Sequence, residues 1–230
     1  YKLPGSTVVI RGNCGGSEIT LTDALEVSCN PGFARLGVEL GADALREQAE
    51  RFGFGDTFLN EIGSAASRFP ADPDAAQTGM SAIGAFDVAA SPLQMAMVAA
   101  AIANDGVVME PYLVESVVTH DLRVISQTTP RQHGTAVSES VAGSLHDMMV
   151  SVVQHGTGRR AQIPGLTIGG KTGTAVTGEG RRPYAWFTAF AEELDLAVCV
   201  FIEDAEIPAT DIAGGTLAAP IAKAVIQAMR

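Results

Sequence analysis

Apolar residues recur at helical spacing through most of this chain and alternate as in strands near its end. Thr20 to Val27 reads as a short helix, with Thr20 as N-cap and Asp23 three residues on as a variant capping box. It ends at Ser28-Cys29-Asn30. Pro31 is expected to hold Asn30 in extended backbone at a bend and to open a second helix running to Leu40 and stopping at Gly41. A third helix is predicted over Asp43 to Phe52, ending at Gly53. The Gly, Ser and Ala rich stretch to Phe86 carries little periodicity and is expected to be mostly loop with short helical turns. Ser91-Pro92-Leu93-Gln94 opens a helix that is apolar nearly all round and closes at Gly106, the pattern of a helix buried in mid-domain. Val107 to Val118 and Arg123 to Ser126 are β-rich, and Ser138 caps a helix over Glu139 to Gln154. Leu166 to Val176, Tyr184 to Ala191 and Leu196 to Glu203 then form an expected antiparallel meander. Thr216 to Met229 closes the chain as a helix whose Leu217, Ile221, Val225 and Ala228 are predicted to cover one sheet face.

Composition narrows the class. At 230 residues and 47% hydrophobic content, the chain can fill one large core or two joined subdomains. Its longest apolar runs, Met95 to Ala103 and Leu196 to Ile202, fall far short of the ~20 residues that cross a bilayer. The opening Tyr1-Lys2-Leu3-Pro4 reads as a cut within a longer protein. A net charge of −11 with only three lysines argues against nucleic acid. The three cysteines and four scattered histidines show no metal spacing, so neither metal nor cofactor is expected. Cys199, within an apolar alternation, reads as a small buried thiol. Cys14 and Cys29 could be bridged outside the cytoplasm, bracing the segment next to Ser28, but their spacing leaves this open.

Candidate chemistry centres on Lys171-Thr172-Gly173-Thr174, inside the first strand of the meander. The preceding Gly169-Gly170 reads as bare backbone that a ligand could approach closely. K-T-G alone is common by chance and fits a surface lysine on a strand. Ser28-Cys29-Asn30 earlier in the chain adds an S-x-N, and the ordered pair is far more specific than either half.

With these motifs stand Phe52-Gly53-Phe54-Gly55, Ser91-Pro92-Leu93-Gln94-Met95-Ala96, Ile102-Ala103-Asn104-Asp105-Gly106, Gly156-Thr157-Gly158 and Ala185-Trp186-Phe187-Thr188. Together they resemble the transpeptidase domains of class B penicillin-binding proteins over the whole chain. The Ser-Cys-Asn spelling is similar to the actinobacterial penicillin-binding protein A type. Gly84-Ala85-Phe86-Asp87 departs from the Gly-Gln-Gly that many members carry. The resemblance implies an α+β fold in which an antiparallel sheet is flanked by helices, with its N-terminal part missing here. A mostly helical subdomain would span residues 20–106, and the sheet with its flanking helices 107–230.

The resemblance also implies a serine nucleophile in an S-x-x-K motif. The lysines stand at positions 2, 171 and 223, and Ile168 and Pro220 lie three residues before the last two, so the motif is expected upstream. By the same resemblance Ser28 joins a proton-relay network, Asn30 bonds the substrate amide, and Lys171 supplies positive potential. Thr172 and Thr174 hydroxyls, flanking Gly173, would bind a terminal carboxylate, and the Thr174 N–H would form half of an oxyanion hole. The implied reaction cross-links peptidoglycan stem peptides ending in D-Ala-D-Ala, with β-lactams trapped as acyl-enzymes. The implied setting is the outer face of the cytoplasmic membrane, through an upstream anchor, with cell-wall synthesis or division proteins as partners.

Rival readings are a D,D-carboxypeptidase, a class A β-lactamase and a non-catalytic module, either a β-lactam sensor or a degenerate binding fold. Asp56-Thr57-Phe58-Leu59-Asn60 resembles the E-x-x-L-N of the β-lactamase, with the shorter Asp in place of Glu. Among accompanying residues, Trp186 reads as sheet packing, Arg181 and Arg182 as solvated charge after a Gly178-Glu179-Gly180 hairpin tip, and His155 as a helix C-terminal residue.

Overall fold

The computed structural model describes residues 1–230 apart from Ser17, Val176, Thr177, Glu179 and Gly180. The helix α1 (Leu21–Glu26) begins at a full capping box, in which Thr20 Oγ1 accepts the Asp23 N–H while the Asp23 carboxylate accepts the Thr20 N–H. α2 (Asn30–Leu40) and α3 (Ala42–Arg51) follow, divided at Gly41, whose φ of 86° favours glycine. Asn30 is thus the first residue of a helix, not an extended one. Pro31 is tolerated in the first turn because its missing N–H has no partner there. The bend moves up to Ser28, at φ 56°.

From Gly53 to Phe86 the chain is mostly loop, as expected, with a 3-10 turn over Asn60–Ile62 and one short helix. α4 (Ala75–Ser81) opens on a capping box between Asp74 and Gln77 and packs on α2. Gly79 within it lets the chain come close, since a Cβ there would stand 2.7 Å from Leu3 Cδ2. Packing overrides the low helix propensity of the Gly-containing segment. α5 (Pro92–Ala103) is capped by Ser91 Oγ, which accepts the Gln94 N–H. The Gln94 side chain does not return to the cap; it is buried and donates to Phe52 O at 2.6 Å.

The β-rich middle divides into two small antiparallel pairs, β1 (Val107–Met109) with β4 (Gln132–Thr135), and β2 (Ser116–Val118) with β3 (Val124–Gln127). Val107 to Val118 is therefore two strands. Gln132-His133-Gly134-Thr135 carries no apolar alternation and becomes a strand because β1 offers it backbone partners.

α6 (Glu139–Gln154) follows its Ser138 cap as expected. The meander is β5 (Ile168–Ala175), β6 (Tyr184–Ala191) and β7 (Leu196–Ile202), antiparallel in the order β5-β6-β7. The expected end of the first strand at Val176 and part of the Gly178-Glu179-Gly180 tip lie outside the described residues. Phe187, Ala189 and Ala191 of β6 pack toward α7 (Ala219–Ala228), and Phe190 packs against Ile102 and Met149 of α5 and α6. This is an α+β architecture, a sheet covered by helices on both faces. α7 is preceded by a π-helical turn over Gly214–Ala218. Its buried residues are Ala218, Ala219, Ala222 and Ile226; Ile221, Val225 and Ala228 are exposed and Leu217 only half-buried. Three alanines and Ile226 therefore face the sheet, which lets the helix lie close upon it, and the stripe of Ile221 and Val225 faces away.

Candidate active site

Ser28 and Lys171, 143 positions apart, meet where α1 ends against the edge strand β5. Lys171 Nζ donates to Ser28 Oγ at 3.0 Å and to Thr172 O at 2.9 Å. The ammonium is largely buried, and desolvation lowers its pKa from 10.5 to about 8. Ser28 is aimed by its own left-handed backbone, which closes a tight turn: Cys29 N donates to Ala24 O at 2.8 Å and Asn30 N to Ser28 O at 2.9 Å. Asn30 stands solvent-exposed at the start of α2.

A disulfide joins Cys14 to Cys29, with the Cα atoms 4.8 Å apart. It ties the segment before α1 to the middle residue of the S-x-N. Gly12 lies flat against Pro31, where a Cβ would come within 2.8 Å of Pro31 Cδ.

The turn after α6 locks α1 to β5. Thr157 N donates to Glu26 O at 3.0 Å, Ser151 Oγ bonds the Glu26 carboxylate, and Gly156 approaches Glu26 so closely that a Cβ would stand 2.6 Å from its carbonyl oxygen. From the same turn Thr157 Oγ1 meets Thr172 Oγ1 at 2.7 Å. Thr157 is thus a site residue to which sequence reasoning gave no role; its place in Gly-Thr-Gly before K-T-G was the available signal. The neighbouring hydroxyl, Thr174 Oγ1, accepts the Gly214 N–H at 3.3 Å. Gly214 has no room for a side chain, since a Cβ would lie 2.1 Å from Trp186 O and 2.7 Å from Gly173 O.

Gly169 and Gly170 serve packing, contrary to their reading as ligand-facing backbone. A Cβ on Gly169 would fall 2.0 Å from Phe190 Cζ and one on Gly170 2.6 Å from Phe187 Cζ. The two glycines let β6 aromatic rings close over opposite faces of β5. What stays open is the outer edge of β5, which pairs only with β6 among the described strands. A chain laid along that edge would meet backbone polar groups beside Lys171, Thr172 and Thr174.

The surrounding residues have structural places. Trp186 lies opposite Gly173 with its ring 4.3 Å from that of Phe201. Arg182, exposed as expected, also donates to Ala205 O at 2.7 Å. His155 is the C-cap of α6, beside Ser151 Oγ at 3.3 Å. Asp56 faces His133 on β4 at 3.3 Å, an ion pair if the imidazole is protonated. Cys199 is half-buried on β7, and burial pushes its thiol up to about 12, leaving it unreactive.

A helix-covered antiparallel sheet, with an S-x-N turn docked against a K-T-G edge strand, defines a class, and the chain belongs to it. Residues 7–227 match the penicillin binding protein transpeptidase domain. Peptidoglycan D,D-transpeptidase PbpA of Mycolicibacterium smegmatis is 45% identical over 98% of this chain, and its counterpart in Mycobacterium tuberculosis is 42% identical over 98%. The chain spans 48% of the length of each of these relatives. Among solved structures, the ceftriaxone acyl-enzyme complex of penicillin-binding protein A from M. tuberculosis superposes with a TM-score of 0.90 at 40% identity. It covers 99% of this chain and 53% of that one. The crystal structure of the same M. tuberculosis protein gives 0.87 at 41% identity, covering 100% and 54%.

Proposed function

We propose that this chain is the C-terminal portion of a peptidoglycan D,D-transpeptidase, with residues 20–106 forming a mostly helical wall of the cleft and 107–230 its sheet. The observation that carries the reading is the 3.0 Å contact between Lys171 Nζ and Ser28 Oγ, beside two threonine hydroxyls on an open strand edge. That arrangement offers a cation, a proton-relaying hydroxyl and a carboxylate site in one place. The nucleophilic serine belongs to the S-x-x-K expected upstream. Its oxygen attacks the carbonyl carbon of the D-Ala-D-Ala bond, the C–N bond breaks, and D-Ala leaves with the proton relayed through Ser28. An amine on a neighbouring strand then displaces the serine from the acyl group. In this scheme Lys171 holds Ser28 oriented and keeps the site positive for an anionic stem peptide. Asn30 meets the substrate amide, Thr172 and Thr174 take the terminal carboxylate, and the Thr174 N–H faces the developing oxyanion. β-Lactams, which carry a carboxylate and a strained amide, enter the same site and remain as acyl-enzymes.

The Cys14–Cys29 bond supports an oxidising compartment, in keeping with work at the outer face of the cytoplasmic membrane beside other cell-wall synthesis proteins. None of the described helices is long and apolar enough to cross a membrane, and anchoring is assigned to the upstream region. Labelling by a fluorescent penicillin tests the reading on three proteins: this chain, the chain extended upstream through S-x-x-K, and the extended chain with that serine changed to alanine. Labelling of the extended, serine-intact protein alone is expected. Labelling of the 230-residue chain would overturn the catalytic assignment, and no labelling of any form would point to a non-catalytic binding module.

A further inference from the structure

At the Ile168 end of β5, away from Lys171 and the threonines, a groove of about 700 Å³ opens between the end of α6, the 159–168 loop and α7. Three cations line it, Arg159, Arg160 and Lys223, and no carboxylate does. This is unexpected in a chain of net charge −11 with 26 acidic residues. Arg35, Arg46, Arg51, Arg68, Arg131 and Arg182 each face a carboxylate. Among the described residues none of the three groove cations does. Glu193, beside the groove, is turned onto the N–H and hydroxyl of Thr167.

The cations are not required as caps for α6, because Gln162 Nε2 already donates to Val153 O and Gln154 O at 2.8 and 2.9 Å. Arg160 is held in place by a 3.3 Å bond to Thr216 O. Between the charges lie two accessible apolar residues, the exposed Pro164 and the half-buried Leu166, above the buried Ile163. The exposed stripe of Ile221 and Val225 lies on the opposite side of α7 from Lys223, so whatever covers that stripe leaves the groove open.

We propose that this groove docks an acidic segment of a partner polypeptide that also carries apolar side chains. Charge selects the acidic residues, whose carboxylates match the guanidinium forks. The apolar surface of Pro164 and Leu166 selects a polypeptide over a phosphate polymer, which brings nothing to bury against it. The proposal stands independently of the catalytic reading, because the groove shares no residue with the Ser28–Lys171 site.

The test is fluorescence anisotropy of a short labelled peptide of alternating Glu and Leu, titrated with the protein expressed together with its upstream region. Saturable binding is expected. It should weaken about tenfold in the double variant Arg159→Glu, Lys223→Glu, where two attractions become repulsions, and when Ser replaces Leu in the probe. Arg123→Glu, on the β2–β3 hairpin, should leave binding unchanged, and fluorescent-penicillin labelling should be equal in all three proteins, showing that the variants are folded. No binding, equal binding by the double variant, or equal binding of the Ser probe or of inorganic polyphosphate would each overturn the proposal.

Discussion

Lys171 is the residue at which stability and the proposed function conflict. Burial lowers its pKa to about 8 while the unfolded chain keeps 10.5. Between these values the unfolded state binds more protons, so native stability falls as pH drops from 10.5 to 8, and the full penalty persists at pH 7. Lys171→Met, which keeps the length of the side chain and removes the charge, is expected to stabilise the chain at pH 7 by one to a few kcal/mol as an order of magnitude. Denaturant titrations of both proteins across pH 7 to 10.5 should show the difference closing toward the alkaline end; a constant difference would mean that the lysine is solvated. In the protein extended to include the serine, labelling by a fluorescent penicillin should decline as pH rises through about 8, and should be lost in Lys171→Met. Thr157 supplies a milder test. Thr157→Val keeps the shape and removes the partner of Thr172 Oγ1, so acylation should slow by about threefold to tenfold, from the ~0.5–1.5 kcal/mol of one hydrogen bond. An unchanged rate would show that Thr172 is oriented without it.

At the scale of elements, the site is a junction of three turns: the bend at Ser28, the Gly156-Thr157-Gly158 turn after α6, and the π-helical turn beneath β5. The third depends on Gly214. Gly214→Ala would drive a methyl group into the carbonyl oxygens of Trp186 and Gly173, backbone atoms that cannot rotate away. It is expected to cost about 1–3 kcal/mol in a thermal or denaturant melt and to weaken penicillin labelling, because the turn must retreat from Thr174 Oγ1. A melt identical to the parent protein's would show that the contact relaxes freely. Much of this junction is legible in the sequence: Thr20 with Asp23, Ser91 with Pro92, and Ser138 mark helix starts by local hydrogen bonding, and the structure begins its helices there. Nonlocal contact decided what could not be read. The helix α4 contains a glycine and is held by α2, β4 needs β1, and Gly169-Gly170 gave no sign that the aromatic residues of β6 would cover them. On α7 size does not decide which face is buried: Ala218, Ala219, Ala222 and Ile226 meet the sheet, while Ile221 and Val225 face away.

For the whole molecule, the surfaces left uncovered point to where further protein would pack. β7 is half-buried at every residue and, among the described strands, pairs on one side only, and the outer stripe of α7 exposes Ile221 and Val225 at 46% and 41%. Open strand edges and contiguous apolar faces are association surfaces in water. The relatives are about twice as long as this chain, so the same surfaces would be natural seats for their other half. Hydrogen exchange is the direct measurement. Amides of Leu196–Ile202 on the free side of β7 and of the outer face of α7 are expected to exchange fast in the 230-residue chain. They should become protected when the upstream region is present, while β6, paired on both sides, stays protected in both. The same addition should make Cys14–Cys29 less critical. Alone, the chain is expected to lose about 2–3 kcal/mol when both cysteines are changed to serine, as for a loop of 15 residues, and less once the upstream region also holds the segment before α1. Unchanged exchange at β7 in the longer protein would show that the upstream region packs elsewhere and leave that edge to a different partner.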